Sequence, residues 1–322
     1  MGSGGEPIRT QSRRAFLEAL TGVALAGAAR AAAFDEVKDR DAGRPPRIDL
    51  QRRYRADAQV MLLGMPLLHR ESVGGGSVVW REFEGTGGAR LLEFHGFSSP
   101  DRAAGLNRLG FIREFSRTTE AGRPECTYFG LMTAITEENV DAARNALHSP
   151  VTEQNYTAID GRIASGETTT ATARFSAPAA IPVDRHSELL DRARHALASA
   201  NRVASDVAPD CAHSFLQVLA DLLSRSGSSE ARYIYSGRIY LLQLTRNPDG
   251  RAAAHFRQRR LIGPSEEVVR VTGRLCCEDG GPETEFRLWI PGGGARPLPL
   301  RIEYQPKSYL RLAFEAQPPA GV

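Results

Sequence analysis

The chain has 322 residues, 41% of them hydrophobic and 25% charged, with a formal net charge of +3. That composition suits a packed globular protein of one large or two ordinary domains. It lacks the strong basic excess of a nucleic-acid binder, so no nucleic-acid partner is expected. The cationic residues are nearly all arginine, with only Lys38 and Lys307 as lysines, which is read as a compositional bias rather than a functional signal.

The N-terminus is the plainest stretch. Thr10-Gln11-Ser12-Arg13-Arg14-Ala15-Phe16-Leu17 precedes a weakly apolar, Ala/Gly-rich run from about residue 19 to 29, then Arg30 and Ala31-Ala32-Ala33. Basic segment, apolar segment and small-residue site occur in the order of an export signal. Through Ser12, Arg13, Arg14, Phe16 and Leu17 it resembles a twin-arginine signal, departing from that pattern at Glu18. The resemblance implies a partner, the twin-arginine translocase, and a periplasmic or secreted location. Cleavage before Phe34 would remove four arginines and two glutamates, leaving a net charge near +1. The apolar run is far short of the roughly 20 residues that span a bilayer, and no cysteine lies nearby for lipid attachment, so no stable membrane anchor is expected.

Residues 34–58 are charged and proline-bearing and read as a solvated leader. Met61 to Leu68 is a short apolar run, and Ser72-Val73-Gly74-Gly75-Gly76-Ser77 reads as a flexible turn. The last of these is glycine-rich like a phosphate loop but lacks the Gly-Lys-Ser/Thr ending and a following helix. Ser77 to Phe83 and Ala89 to Phe97 alternate as strands around Gly85-Thr86-Gly87-Gly88. Ser99-Pro100-Asp101 signals a helix start. Strands are expected at Phe111 to Arg117, Cys126 to Met132 and Tyr156 to Ile163, with a helix opening at Thr136-Glu137-Glu138 before the last of them. From Ala89 the order is strand, helix, strand, strand, helix, strand: the ferredoxin-like βαββαβ arrangement. Thr168 to Ala173 is an edge strand or a spacer.

Two helical stretches follow. Leu189, Ala193, Leu197 and Ala200 form one apolar stripe; Cys211, Phe215, Leu219 and Leu222 form another. Ser224 to Ser229 reads as a linker. From Ala231 onward the expectation is all strand, with a hairpin at 233–244 and strands near 254–262, 266–277, 283–290, 298–304 and 309–315, separated by Gly/Pro turns. The expected fold is therefore α+β: a ferredoxin-like half at 59–180, a helical connector at 181–228 and a C-terminal antiparallel β-meander or partial barrel at 229–318. Tyr235-Ser236-Gly237-Arg238-Ile239-Tyr240, Phe286-Arg287-Leu288-Trp289-Ile290-Pro291 and Pro297-Leu298-Pro299-Leu300-Arg301-Ile302-Glu303-Tyr304 resemble exported bacterial proteins of the DUF3108 kind, whose function is unknown. The resemblance covers roughly the last 90 residues. It implies an envelope-located β domain and carries across no functional residue.

Chemistry is thinly signalled. The vicinal Cys276-Cys277 pair points to opposite faces of a strand, which hinders joint chelation; Cys277 is expected in the core, and Cys276 exposed or paired with another cysteine. Cys211-x-His213 places two ligand types together, but Cys211 lies on an apolar stripe and behaves as a small hydrophobe. Neither these nor Cys126 match a zinc spacing, and the disulfide pairing stays open. There is no His-Glu-x-x-His, Gly-x-Ser-x-Gly or Ser-x-x-Lys. If a pocket exists in the first half, it is expected on the sheet face bearing Glu93 and His95, with Arg113 and Tyr128; that open face also suits a homodimer. No cofactor is expected. The sequence points to an exported soluble envelope protein, a non-catalytic binding or structural module for an apolar ligand or a protein partner. The alternative is a periplasmic enzyme or metal-dependent redox protein.

Overall fold

The computed structural model describes residues 45–62, 65–84, 88–103, 108–134, 152–179, 181–208, 210–211, 213–225, 229–281, 283–294 and 296–318. The signal residues Arg13, Arg14, Phe16 and Leu17, and the helix expected from Thr136, lie outside them. Fourteen strands are described: β1 (Pro46–Leu62), β2 (Met65–Phe83), β3 (Arg90–Ser98), β4 (Leu109–Thr118), β5 (Pro124–Thr133), β6 (Glu153–Ala164), β7 (Glu167–Pro178), β8 (Arg202–Asp206), β9 (Glu230–Tyr235), β10 (Arg238–Pro248), β11 (Val268–Cys277), β12 (Thr284–Pro291), β13 (Arg301–Lys307) and β14 (Leu310–Ala316). Three α-helices accompany them: α1 (His186–Ala198), α2 (Phe215–Ser224) and α3 (Gly250–Gln258).

All fourteen strands belong to one antiparallel sheet in the order β8-β7-β6-β5-β4-β3-β2-β1-β14-β13-β12-β11-β10-β9. This overturns the ferredoxin-like α+β expectation. A βαββαβ unit needs crossovers that place non-consecutive strands side by side; here every neighbour from β1 to β8 is consecutive in the chain, which makes an up-and-down meander. The described part of the helix expected at Ser99 is a turn at residues 100–103. The supposed leader contributes residues 46–58 to β1, which joins the two expected halves by pairing with β14, as in Ala56 opposite Phe314 and Ala58 opposite Leu312.

β1 and β2 form a hairpin of 17- and 19-residue strands, bent where the register shifts between Ala56 and Ala58. At that bulge Asp57 Oδ1 accepts a hydrogen bond of 2.8 Å from the Ser72 amide, and Ser72 takes a positive φ of 52°. Bulges of this kind bend and twist a long strand, letting the sheet roll. The glycine-rich stretch expected as a flexible turn is strand β2, and a Cβ at Gly74 would overlap the Phe97 carbonyl of β3.

Alternation assigns each strand an inner and an outer face. The inner face carries Tyr54, Ala56, Phe94, Ile112, Tyr128, Ile159, Leu242, Val271, Leu288, Ile302 and Phe314, all part of one buried cluster except Ile112, which is itself buried. Phe94 of β3 meets Phe314 of β14 edge to face at 5.8 Å. The β9 edge rolls over the far wall: Tyr235 stacks on Tyr128 of β5 at 5.4 Å, and a Cβ at Gly130 would overlap the Tyr235 hydroxyl. Among the described residues this closure is made by side chains, because β9 pairs in the ladder with β10 alone.

The helices divide between the faces. α1 covers β6 and β7 from outside with Leu189, Leu190, Ala193 and Leu197. α3 packs Ala253 and Phe256 against Val268, Trp289 and Leu300. Residues 254–262, expected as strand, are the body of α3 and the turn after it. The helix starts because Asp249 caps it, its Oδ1 accepting from Ala252 N at 2.9 Å while Oδ2 accepts from Trp289 Nε1 at 2.9 Å. α2 lies inside the roll. Its sequence Phe-Leu-Gln-Val-Leu-Ala-Asp-Leu-Leu-Ser is apolar nearly all round, as a helix with core on both sides must be.

Candidate ligand cavity

α2 is held at its start by one buried carboxylate. Both oxygens of Glu114, on the inner face of β4, accept backbone hydrogen bonds of 2.9 Å, from Leu216 N and Gln217 N. These are first-turn N–H groups with no partner inside the helix, and a negative charge there opposes the positive end of the helix dipole. Burial raises the Glu114 carboxyl to about 7 against the pull of these bonds. Gln217, fully buried, accepts from Arg90 Nε at 2.6 Å and from Ser116 Oγ at 2.9 Å, and Arg90 also donates to Asp221 at 2.8 Å. Two strands thus grip the one polar side of the helix. On the other side Phe215 packs against Tyr233 of β9 and Phe286 of β12 at 5.4 and 6.2 Å.

Between α2 and the sheet lies a cavity of about 120 Å³. Val78 and Trp80 of β2, Leu92 and Phe94 of β3 and Ile112 of β4 form one wall. Phe286 and Leu288 of β12 with Ile302 and Tyr304 of β13 form the other, and Leu216, Leu219 and Leu223 of α2 close the inside. Pro297-Leu298-Pro299, between β12 and β13, lies across the space, with Leu298 packed on Trp80, Leu92 and Ala220. This crossing is clamped: Arg52 Nη1 donates to the Leu298 carbonyl at 2.6 Å, the Tyr54 hydroxyl to the Pro299 carbonyl at 2.7 Å, and Arg296 makes two 2.6 Å bonds to the Glu82 carboxylate. Those bonds hold Glu82 down at about 2.

The lining is almost wholly hydrocarbon. Trp80 Nε1 is used by Glu82 at 2.9 Å. The Glu93 carboxylate points to the outer face and pairs with Arg113 at 2.8 Å. The Tyr304 hydroxyl is buried without a hydrogen-bond partner. An apolar space of this size takes an apolar group about as large as a small ring.

The sequence-derived residues fall in two places. Glu93, His95 and Arg113 share the outer face of β3 and β4, where the half-buried His95 packs beside Phe111 and His186 at centroid distances of 5.4 and 5.9 Å. Burial pushes the imidazoles down, His95 to about 3 and His186 to about 4. Tyr128 points to the opposite, inner face, where its hydroxyl hydrogen-bonds Thr170 Oγ1 at 3.0 Å. A one-residue difference in strand parity separates it from the other three. None of the four side chains opens into the cavity. The lining residues gave no polar signal in the sequence; the signals that existed were the all-round apolarity of residues 215–223 and the Pro-Leu-Pro at 297–299.

The cysteines are free. Cys126, Cys211 and Cys277 are buried and Cys276 is half-buried. Cys126 Sγ hydrogen-bonds Ser214 Oγ at 3.2 Å, and burial raises its thiol to about 12. Among the described residues no cluster of three or more His, Cys, Asp or Glu is placed to hold a metal, and no helix is long and apolar enough to cross a membrane.

Fold and cavity define a class: a rolled antiparallel sheet with a helix inside it and an apolar cavity between them. No protein-family model matches the chain, so the DUF3108 resemblance of the C-terminal strands gains no family match, and no curated protein matches it. Among solved structures it is similar to a beta-barrel-like protein of domain of unknown function DUF1849 from Brucella abortus, at 9% identity over 83% of this chain and 95% of that one, with a TM-score of 0.42. That likeness is too distant to assign a fold or a function.

Proposed function

We propose that this protein is an exported envelope protein that binds an apolar ligand, without turnover, in the cavity beneath α2. The cavity carries the reading: it lies inside the sheet, its lining is almost wholly hydrocarbon, and its cover is fastened by Arg52, Tyr54 and the Glu82–Arg296 pair. Binding sites for small molecules are concave and mostly apolar with few polar groups. The lining holds no nucleophile beside a base, which favours binding over catalysis. At about 120 Å³ the space accepts the end of a ligand rather than a whole lipid, so a longer molecule displaces the Pro297–Pro299 crossing or extends past it. Export rests on Ser12, Arg13, Arg14, Phe16, Leu17 and the Ala31–Ala33 site, with the twin-arginine translocase as the partner in transit.

The test is binding of the fluorescent apolar probe N-phenylnaphthylamine to the purified protein and to Val78→Phe. Val78 is half-buried on the cavity wall, and the larger side chain fills the space while keeping a residue that strands favour. The expected result is saturable binding that the variant reduces at least tenfold with its melting temperature kept. Equal binding by both proteins refutes the assignment of the cavity. Export is checked separately, by loss of the periplasmic protein when Arg13 and Arg14 are both replaced by Lys.

A further inference from the structure

We infer that two copies of this chain join edge to edge through β8, antiparallel and centred on Ala204, so that Arg202 of each copy faces Asp206 of the other. The partner is a second copy of the chain, and the inference does not depend on what the cavity holds.

β8 ends the sheet, with β7 on its inner side. Every residue of the strand is exposed, and Val203 keeps 65% of its surface in water. An open edge offers a row of backbone N–H and C=O groups to another strand, and proteins commonly guard it with Pro, Lys or a bulge. Arg202-Val203-Ala204-Ser205-Asp206 has no Pro and no Lys, and it pairs with β7 from end to end without a register shift.

One bond shows which groups are free. Val207 N donates to the Gly166 carbonyl at 2.8 Å. Bonded residues alternate along an antiparallel ladder. Val203 and Ser205 therefore bond toward β7 as Val207 does, and Arg202, Ala204 and Asp206 turn their N–H and C=O groups outward. A second β8 must then bond even-numbered residues to even-numbered ones. Centred on Ala204, the pairing sets Ala204 against itself and Arg202 against Asp206 at both ends. Moving the register by two residues loses both charge pairs, so the charges select this one.

The side chains suit the same register. Opposite charges across a ladder attract and like charges repel. Within one chain Asp206 stands opposite Glu167 of β7, acid against acid, and an arginine from the other copy relieves that repulsion. Arg202 uses Nη2 for Asp160 at 2.7 Å and stays half exposed, which leaves its other N–H groups for Asp206 of the other copy. Val203 falls opposite Ser205 in a non-hydrogen-bonded pair, the closer kind, which takes its methyl groups out of water. Because the strand pairs with itself about a two-fold axis, the contact closes as a dimer.

Sedimentation equilibrium of the full chain tests this. A ladder this short is a weak interface, so the series runs up to about 1 mM. The wild type is expected to dimerise, with a dissociation constant that Ala204→Pro raises at least tenfold. Proline there removes an N–H that points outward, so the β7 ladder keeps its bonds and the melting temperature should hold. Asp206→Arg and Arg202→Asp each set like charges opposite at both ends. Each should be monomeric alone, and the two should associate when mixed, because mixing restores Arg against Asp. A wild type that stays monomeric throughout the series overturns the inference. So does a dimer that Ala204→Pro leaves intact, and so does failure of the two charge variants to associate on mixing.

Discussion

The single side chains that matter most here are buried polar ones, and their charge states oppose each other. His95 and His186 protonate near 6.5 when unfolded and near about 3 and about 4 when folded. Between those values the unfolded chain takes up protons that the folded chain refuses, so stability falls as pH drops from 6.5 toward 4. Glu114 works the other way. Its carboxyl is raised from 4.5 to about 7, so the folded state holds a proton that the unfolded state releases, and stability falls as pH rises through that window. Denaturant titration at pH 4.5, 5.5, 6.5 and 7.5 separates the two. His95→Phe should flatten the acid side, removing a buried nitrogen beside Phe111 and His186 without leaving a hole. Glu114→Gln should flatten the neutral side. An unchanged acid limb in His95→Phe would mean that other groups govern it. The period of two put Glu93 and His95 on one face of β3, but that Arg113 stands opposite Glu93 was not legible in the sequence. Tyr128, grouped with them, lies on the other face opposite Glu114, because which residues stand opposite depends on the register between strands and not on either strand alone.

Among the elements, α2 decides the interior. Its apolar stripe was legible in the sequence, but a connector helix and a core helix share that stripe. What distinguishes them is Glu114, 102 residues before the Leu216 amide it holds. Glu114→Ala leaves two buried N–H groups unbonded and removes the carboxyl that faces the start of the helix. The expected loss is roughly 2–4 kcal/mol in equilibrium unfolding, with N-phenylnaphthylamine binding weakened as the helix loosens. A loss under about 0.5 kcal/mol would mean that the apolar contacts of Phe215 and Leu219 alone position the helix. α3 was missed although its cap was visible: Asn247-Pro248-Asp249-Gly250 is a helix start, and Arg251-Ala252-Ala253-Ala254 continues it with good helix formers. The expectation of a continuous β region overrode that local signal.

For the molecule as a whole, the rolled sheet is closed by aromatic packing rather than by a completed ladder. Tyr235 of β9 lies on Tyr128 of β5, and Gly130 leaves room for its hydroxyl. Gly130→Ala forces the buried Tyr235 ring to move and should cost about 1–3 kcal/mol, the usual penalty of overpacking. Hydrogen exchange is the sharper readout, with β9 and β10 amides losing protection before those of β3 and β4. Uniform loss across the sheet would show that the edge does not open separately. The long β1–β2 hairpin and its pairing with β14 make one fold of segments that composition had divided into a leader, two halves and a connector.

The sequence by itself determined what is local. The period-two alternation, the Gly/Pro turns and the apolar stripes of α1 and α2 located most of the described strands and two of the three described helices, because side-chain direction along a strand or helix follows from backbone geometry. Only the tertiary structure decided what is long-range: that residues 46–62 are a strand between β2 and β14, that α2 lies within the roll and α1 and α3 outside it, and that a cavity lies between α2 and the sheet. These depend on pairings between residues as far apart as Tyr54 and Ala316. Such contacts are chosen by the burial of the whole inner face at once, which no short window of sequence contains.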